Sequence, residues 1–194
     1  MMSDNTALLL IDLQNDFCPG GSLAVKEGDQ VIPIANALMP HFKTIIATQD
    51  WHPENHMSFK SLWPVHCVQQ SVGAQLHTDL TLSRITKIFQ KGMDQHIDSY
   101  SAFYDNEHLK STGLTNWLRD KNISDLYVMG LATDYCVKFS CLDAIADGFT
   151  VYLIQDGCRG VNVQKHDIEN ALNEMQDKGV ILMRVSDLDR EPRA

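Results

Sequence analysis

Short, almost uninterrupted apolar runs alternate along this chain with segments of helical periodicity, and no other feature restricts the fold as much. The runs are Ala7–Asp12, Thr44–Gln49, Thr86–Gln90, Asp125–Gly130, Thr150–Gln155 and Val180–Arg184. A strand that is apolar at every position has no face to turn to water, so helices must cover it on both sides. The helical segments predicted between the runs extend from a cap at Asp29 to about Phe42, over Leu114–Lys121, over Asp134–Ala146 and over Lys165–Lys178. Gly148 and Gly179 are natural stops for the last two. The expected fold is α/β: a three-layer sandwich with a central six-stranded parallel sheet and helices on both faces. The chain has 194 residues, without an internal repeat or a linker, and is expected to form a single domain over 1–194. The charged tail after Asp187 is expected to fray.

Charge narrows the function. Asp and Glu total 25 against 16 Lys and Arg, a net charge of -9, with no basic stretch. Such a surface argues against nucleic acid and against anionic membranes as partners. No apolar run approaches the ~18 residues of a membrane span. The start, Met1 to Thr6, lacks the charged-then-apolar pattern of a secretory signal, so the expected location is cytoplasmic. Five cysteines at 18, 67, 136, 141 and 158, with no C-x-x-C, read as buried thiols rather than a disulfide framework. Neither G-x-G-x-x-G nor a Walker sequence occurs, so no nucleotide cofactor is expected.

In open α/β sheets, ligands bind beyond the carboxyl ends of the strands. Asp12 ends the first strand and Asp50 follows the second. Lys91 follows the third, and Leu131-Ala-Thr-Asp-Tyr-Cys136 follows the fourth. Two carboxylates, an ammonium and a thiol are thus expected on one sheet edge. Cys136 would lie in the first turn of a helix, where backbone N–H groups favour a thiolate or an oxyanion. Each residue also has an ordinary alternative: Cys136 as a packed core thiol, Asp12 as a structural acceptor, Lys91 as a solvated cation. Together they suggest a nucleophile, a base and an electrostatic partner. Cys141 and Cys158 have no such company.

The long polar stretch from Asp50 to about Ser83 is too long for an idle loop. It holds Asp50-Trp-His52, His56 and His66, a carboxylate–imidazole set suited to Zn2+, Fe2+ or Mn2+. The alternative is a loop of polar residues bonded to one another. His41, His77, His96, His108 and His166 have no clustering partners and are expected at the surface. Phe17, Trp51, Trp63, Tyr100 and Phe103 are core packing by default. Any that line the pocket favour a flat aromatic ligand.

Several segments together carry a resemblance. They are Leu9–Gly21, Gln49–His56 with Ser58-Phe59, Trp63–Gln69, Lys91-Gly92, Asp98–Phe103, Gly130–Val137 and Asp156–Gly160. In this order they resemble the bacterial nicotinamidases (pyrazinamidases) among the isochorismatase-like cysteine hydrolases. The resemblance implies hydrolysis of nicotinamide to nicotinate and ammonia through a cysteine thioester, a step of NAD salvage, with pyrazinamide as a second substrate. It implies Asp12, Lys91 and Cys136 as the catalytic set. It implies Asp50, His52 and His66 as ligands of one divalent metal, Zn2+ first, with His56 a ligand position in some members. It implies the backbone N–H groups of Ala132 and Cys136 as oxyanion donors, beside a strained Leu131–Ala132 peptide. Phe17, Trp63 and Tyr100 match the family's aromatic walls. Members differ in oligomeric state, so a homo-oligomer is compatible with it. Relatives acting on carbamoyl or ureido amides keep the Asp, Lys and Cys but usually lack the Asp-x-His…His set. One departure is the short segment Lys60-Ser-Leu62, where many relatives carry a longer insertion.

Overall fold

A computed structural model of the protein describes residues 2–188, so the tail from position 189 onward lies outside the described residues. Six parallel strands form one sheet: β1 (Thr6–Ile11), β2 (Thr44–Asp50), β3 (Lys87–Lys91), β4 (Asp125–Leu131), β5 (Thr150–Arg159) and β6 (Ile181–Met183). Their order is β3-β2-β1-β4-β5-β6. Every residue of β1 is buried, and Leu9 pairs with Ile46 on one side and Val128 on the other. Each such aliphatic side chain contributes about 1.5–3 kcal/mol by leaving water.

The helices are α1 (Val31–Leu38), α2 (Leu114–Asp120), α3 (Lys138–Ala146) and α4 (Asp167–Asp177). The strand order reverses direction between β1 and β4. Right-handed crossovers therefore put α1, which follows β1, on one face, and α2, α3 and α4 on the other. Thr115 and Arg119 of α2 both hydrogen-bond Asp147 at the end of α3, which seals that second layer. The reversal point is where an open sheet leaves a crevice for ligands. Asp12 follows β1 there, and the turn bearing Cys136 follows β4.

Three elements depart from the periodicity. The first predicted helix is shorter, with 3-10 turns over Gly28–Gln30 and Met39–His41 at its ends. β5 continues past the expected Gln155 to Arg159, because a register shift between Val128 and Gly130 of β4 lets residues 154–157 bulge opposite Met129. The third predicted helix opens with a π turn over Thr133–Val137 before α3 begins at Lys138. Cys136 therefore lies in that turn rather than in the first α-helical turn. Among the described residues, no helix is long and apolar enough to cross a membrane.

Candidate active site

Asp12, Lys91 and Cys136 come from three different strand ends and meet in the interior, each at most 7% exposed. Lys91 is the hub. Its Nζ lies 2.9 Å from Asp12 Oδ2 and 3.4 Å from Cys136 Sγ, and it hydrogen-bonds Asp50 Oδ1. A further bond of 2.9 Å goes to the Ser99 carbonyl. Register explains the Asp50 contact, since Lys91 on β3 pairs directly with Asp50 on β2. Asp12 holds a left-handed backbone conformation, φ 49°. The Thr48 hydroxyl donates to its Oδ1 at 2.6 Å and accepts from its N–H at 3.1 Å. Oδ2 faces the Lys91 ammonium as a buried charge contact.

Burial pushes the Asp12 carboxyl above its usual range; Lys91 and Thr48 oppose the rise and Asp50 adds to it. Burial also pushes the Cys136 thiol up, with Lys91 opposing and Asp12 and Asp50 reinforcing. Lys91 stays charged: burial disfavours its ammonium, but Asp12, Asp50 and Cys136 outweigh that. Asp50 goes the other way. Burial works against its ionised form, yet Lys91, His52 and His66 lower its carboxyl below the usual range. The surroundings thus hold Asp50 as a carboxylate and Lys91 as an ammonium, while burial favours the neutral forms of Asp12 and Cys136.

Asp50 also faces the imidazoles. Its Oδ2 lies 3.5 Å from His52 Nε2 and 3.9 Å from His66 Nε2. The opposite nitrogens are engaged: His52 Nδ1 donates to the Gly92 carbonyl and His66 Nδ1 to the Pro64 carbonyl, both at 2.8 Å. A carbonyl only accepts, so each Nδ1 carries a hydrogen, and Nε2 is the nitrogen that a neutral ring offers as a lone pair. Ligand atoms of Asp50, His52 and His66 lie within 4.8 Å of one another. A carboxylate with two bare imidazole nitrogens and carbonyls behind them fits a divalent ion. Gly92 is tied to this arrangement, because a Cβ there would lie 2.4 Å from the His52 ring and φ is 64°. His56 stacks on His52 with centroids 4.1 Å apart, but it groups with His52 and Asp98 rather than with Asp50 and His66. Its buried Nε2 has no hydrogen-bond partner and lies 4.0 Å from Asp98 Oδ1.

The predicted aromatics reach the same pocket. Phe17, Trp63 and Tyr100 line it together with Asp50, His66 and Cys136. Trp63 donates its indole N–H to the Tyr100 hydroxyl at 3.2 Å. Tyr135 packs edge-on against Trp63 at 5.0 Å and contacts Tyr100 at 5.5 Å. Burial raises the Tyr100 hydroxyl to about 12, so it remains a neutral hydrogen-bonding group. Phe103 is core and Trp51 packs against the core. Ala132 also lines the pocket, and the Leu131–Ala132 peptide before it is cis. His41, His96, His108 and His166 are exposed and His77 is half-buried.

Some pocket residues carried no signal of their own. Leu23 and Val161 line the wall, and both come from irregular segments where apolar residues have no period. Thr48, which orients Asp12, lies inside an apolar strand and reads there as an ordinary β-former. Asp98 also lines the pocket, and nothing in the spacing around it points to a role.

A family profile described as isochorismatase domain matches residues 6–187. The chain belongs to the isochorismatase family. Within that family it is 49% identical to a nicotinamidase of Escherichia coli, over 93% of this chain and 95% of the relative. The L. infantum protein solved in complex with nicotinate superposes with a TM-score of 0.91 at 41% identity, covering 96% of both chains. The pyrazinamidase of Pyrococcus horikoshii, solved in complex with zinc, superposes with a TM-score of 0.82 at 39% identity, covering 93% of this chain and 99% of that one. The six-stranded parallel sheet is thus the isochorismatase-family sheet.

Proposed function

We propose that this isochorismatase-family protein is a metal-dependent nicotinamidase. It converts nicotinamide and water to nicotinate and ammonia, as a step of NAD salvage, and it also accepts pyrazinamide. The observation that carries this reading is one shared residue. Asp50 binds Lys91 of the Asp12–Lys91–Cys136 cluster through Oδ1 and faces His52 and His66 through Oδ2. An amide-cleaving cluster and a ring-anchoring metal site would then lie one carboxylate apart, under an aromatic wall. The E. coli relative's activity, the bound nicotinate and the bound zinc of the two structures support it.

In this reading Asp12 takes the Cys136 proton as sulfur attacks the carboxamide carbon, and Lys91 stabilises the charge that moves between them. The oxyanion rests on the N–H groups of Ala132 and Cys136, each such donor being worth about 3–4 kcal/mol. Asp12 returns the proton to the nitrogen as the C–N bond breaks, releasing ammonia and leaving a thioester. Asp12 then takes a proton from water as its oxygen attacks the thioester; the C–S bond breaks, Asp12 returns that proton to the Cys136 sulfur, and the acid leaves as nicotinate after losing its own proton to solvent. The raised carboxyl of Asp12 suits both directions of transfer. Asp50, His52 and His66 would hold a divalent ion, Zn2+ or in its place Fe2+ or Mn2+, which would supply Lewis acidity. Phe17, Trp63 and Tyr100 hold the ring flat.

The test is ammonia release from nicotinamide by the purified protein, before and after chelation and with metal restored. Release that stops on chelation and returns with metal is the expected result. No release with any metal would overturn the reading and direct attention to carbamoyl and ureido amides. His52→Ala removes a ligand itself and is expected to weaken metal affinity by more than the roughly 10–100-fold that loss of a partner behind a ligand costs, and to raise KM. Unchanged metal stoichiometry and affinity in that variant would remove His52 from the ligand set.

A further inference from the structure

One buried carboxylate beside the site takes no part in the chemistry above. Asp16 lies in the turn Asn15–Phe17, just beyond Asp12, and is 9% exposed. Its Oδ2 accepts the Cys67 backbone N–H at 2.7 Å, and its Oδ1 accepts the Ser22 N–H at 3.2 Å. Cys67 directly follows His66. The Cys67 carbonyl in turn accepts the His52 N–H at 2.9 Å, and Gln69 N–H donates back to the His52 carbonyl at 2.8 Å. The peptide after His66 is therefore fastened to Asp16 on one side and to the His52 backbone on the other. Cys67 is also left-handed, φ 46°. A side-chain-bearing residue stays in that conformation only where its surroundings over-determine it. A buried, charge-assisted bond from a carboxylate is strong enough to do so.

The carboxylate is held from behind as well. Asp16 N–H donates to the Gly73 carbonyl at 3.0 Å. A Cβ on Gly73 would lie 2.1 Å from Asp16 Oδ2, so only glycine lets the carboxylate occupy this place. The His66 ring is set separately, through Nδ1 and the Pro64 carbonyl. Ring orientation and backbone position thus have different anchors.

We propose that Asp16 is a positioning residue for the metal site: through the Cys67 amide, its carboxylate sets the spacing of His66 from His52. This inference rests on the metal assignment made above. It places Asp16 behind a ligand, where loss of such partners typically weakens metal affinity roughly 10–100-fold.

The experiment is competition of Zn2+ between the protein and a chromophoric chelator, on wild type, Asp16→Ala, Asp16→Asn and Gly73→Ala, well below each protein's thermal midpoint. Wild type is expected to bind one Zn2+. Asp16→Ala and Gly73→Ala are expected to bind it roughly 10–100-fold more weakly, and Asp16→Asn, which keeps one acceptor oxygen, to fall between. If wild type binds no Zn2+, the metal assignment itself fails. If wild type binds Zn2+ and the variants bind it equally well, only the role given to Asp16 fails, even if their midpoints drop. Should Asp16→Ala not fold, Asp16→Asn decides: affinity equal to wild type overturns the proposal.

Discussion

Cys136→Ala should abolish turnover while leaving the protein folded. Loss of a nucleophile that acts as one unit with its base costs on the order of 10⁴-fold or more in kcat. No neighbouring thiol stands in for it: Cys67, Cys141 and Cys158 are buried and are not among the residues that line the pocket, and burial raises all three thiols. The effect on stability is small by comparison. Cys136 is a small side chain on a turn, and removing its sulfur leaves a minor void worth about 1 kcal/mol. At this chain length that shifts the thermal midpoint by about 2–4 °C. The surviving Asp12–Lys91–Asp50 contacts do not need the sulfur. Ammonia release from nicotinamide and a thermal melt, run on one preparation, check both halves. Turnover near wild type would refute the nucleophile assignment. A collapse of the midpoint would instead show the sulfur to be a structural element of the core.

What was legible in the sequence, and what was not, has a physical basis in particular residues. The sheet was legible because β1, β2 and β4 are buried on both faces and so read as continuous apolar runs. Charged residues at the ends of such runs stand out, and Asp12, Asp50 and Lys91 are all of this kind. Their convergence followed from parallel pairing, which brings every carboxyl end to one edge. The π turn around Cys136 was not legible, since five residues cannot separate a π from an α period. The far end of β5 was hidden because Asp156-Gly157 has the composition of a turn, whereas here it forms an irregularity within a strand. Thr48 and Asp16 were missed for a shared reason. Their importance lies in what they accept and donate across the chain, 36 residues away for Thr48 and 51 for Asp16, and no local pattern records that.

Lys91→Met should produce the largest loss of stability of any single change at the site. Methionine keeps the length of the side chain, so the substitution removes charge more than volume. Asp12 and Asp50 are 0% and 5% exposed, and Lys91 is the cation between them. Without it two buried carboxylates face each other, and stranding a buried charge in this way costs about 3–5 kcal/mol. That corresponds to a midpoint lower by about 6–20 °C near neutral pH. The sign of the pH dependence follows. In wild type Lys91 pulls the Asp50 carboxyl down, so its contribution is present above the unfolded carboxylate's usual value and lost as pH falls. In the variant the main offset to burial and mutual repulsion is gone, with only His52 and His66 left for Asp50 and Thr48 left for Asp12, so both carboxyls rise from their wild-type positions. A raised carboxyl penalises folding only while ionised, and the penalty vanishes as pH falls toward the unfolded value. The midpoint gap between variant and wild type should therefore narrow between pH 7 and pH 5. The melts belong in chelator, so that no bound cation answers the Asp50 charge. A gap that stays constant with pH would show Lys91 to act by packing alone, and would remove the electrostatic basis for the Asp12–Lys91–Cys136 chemistry.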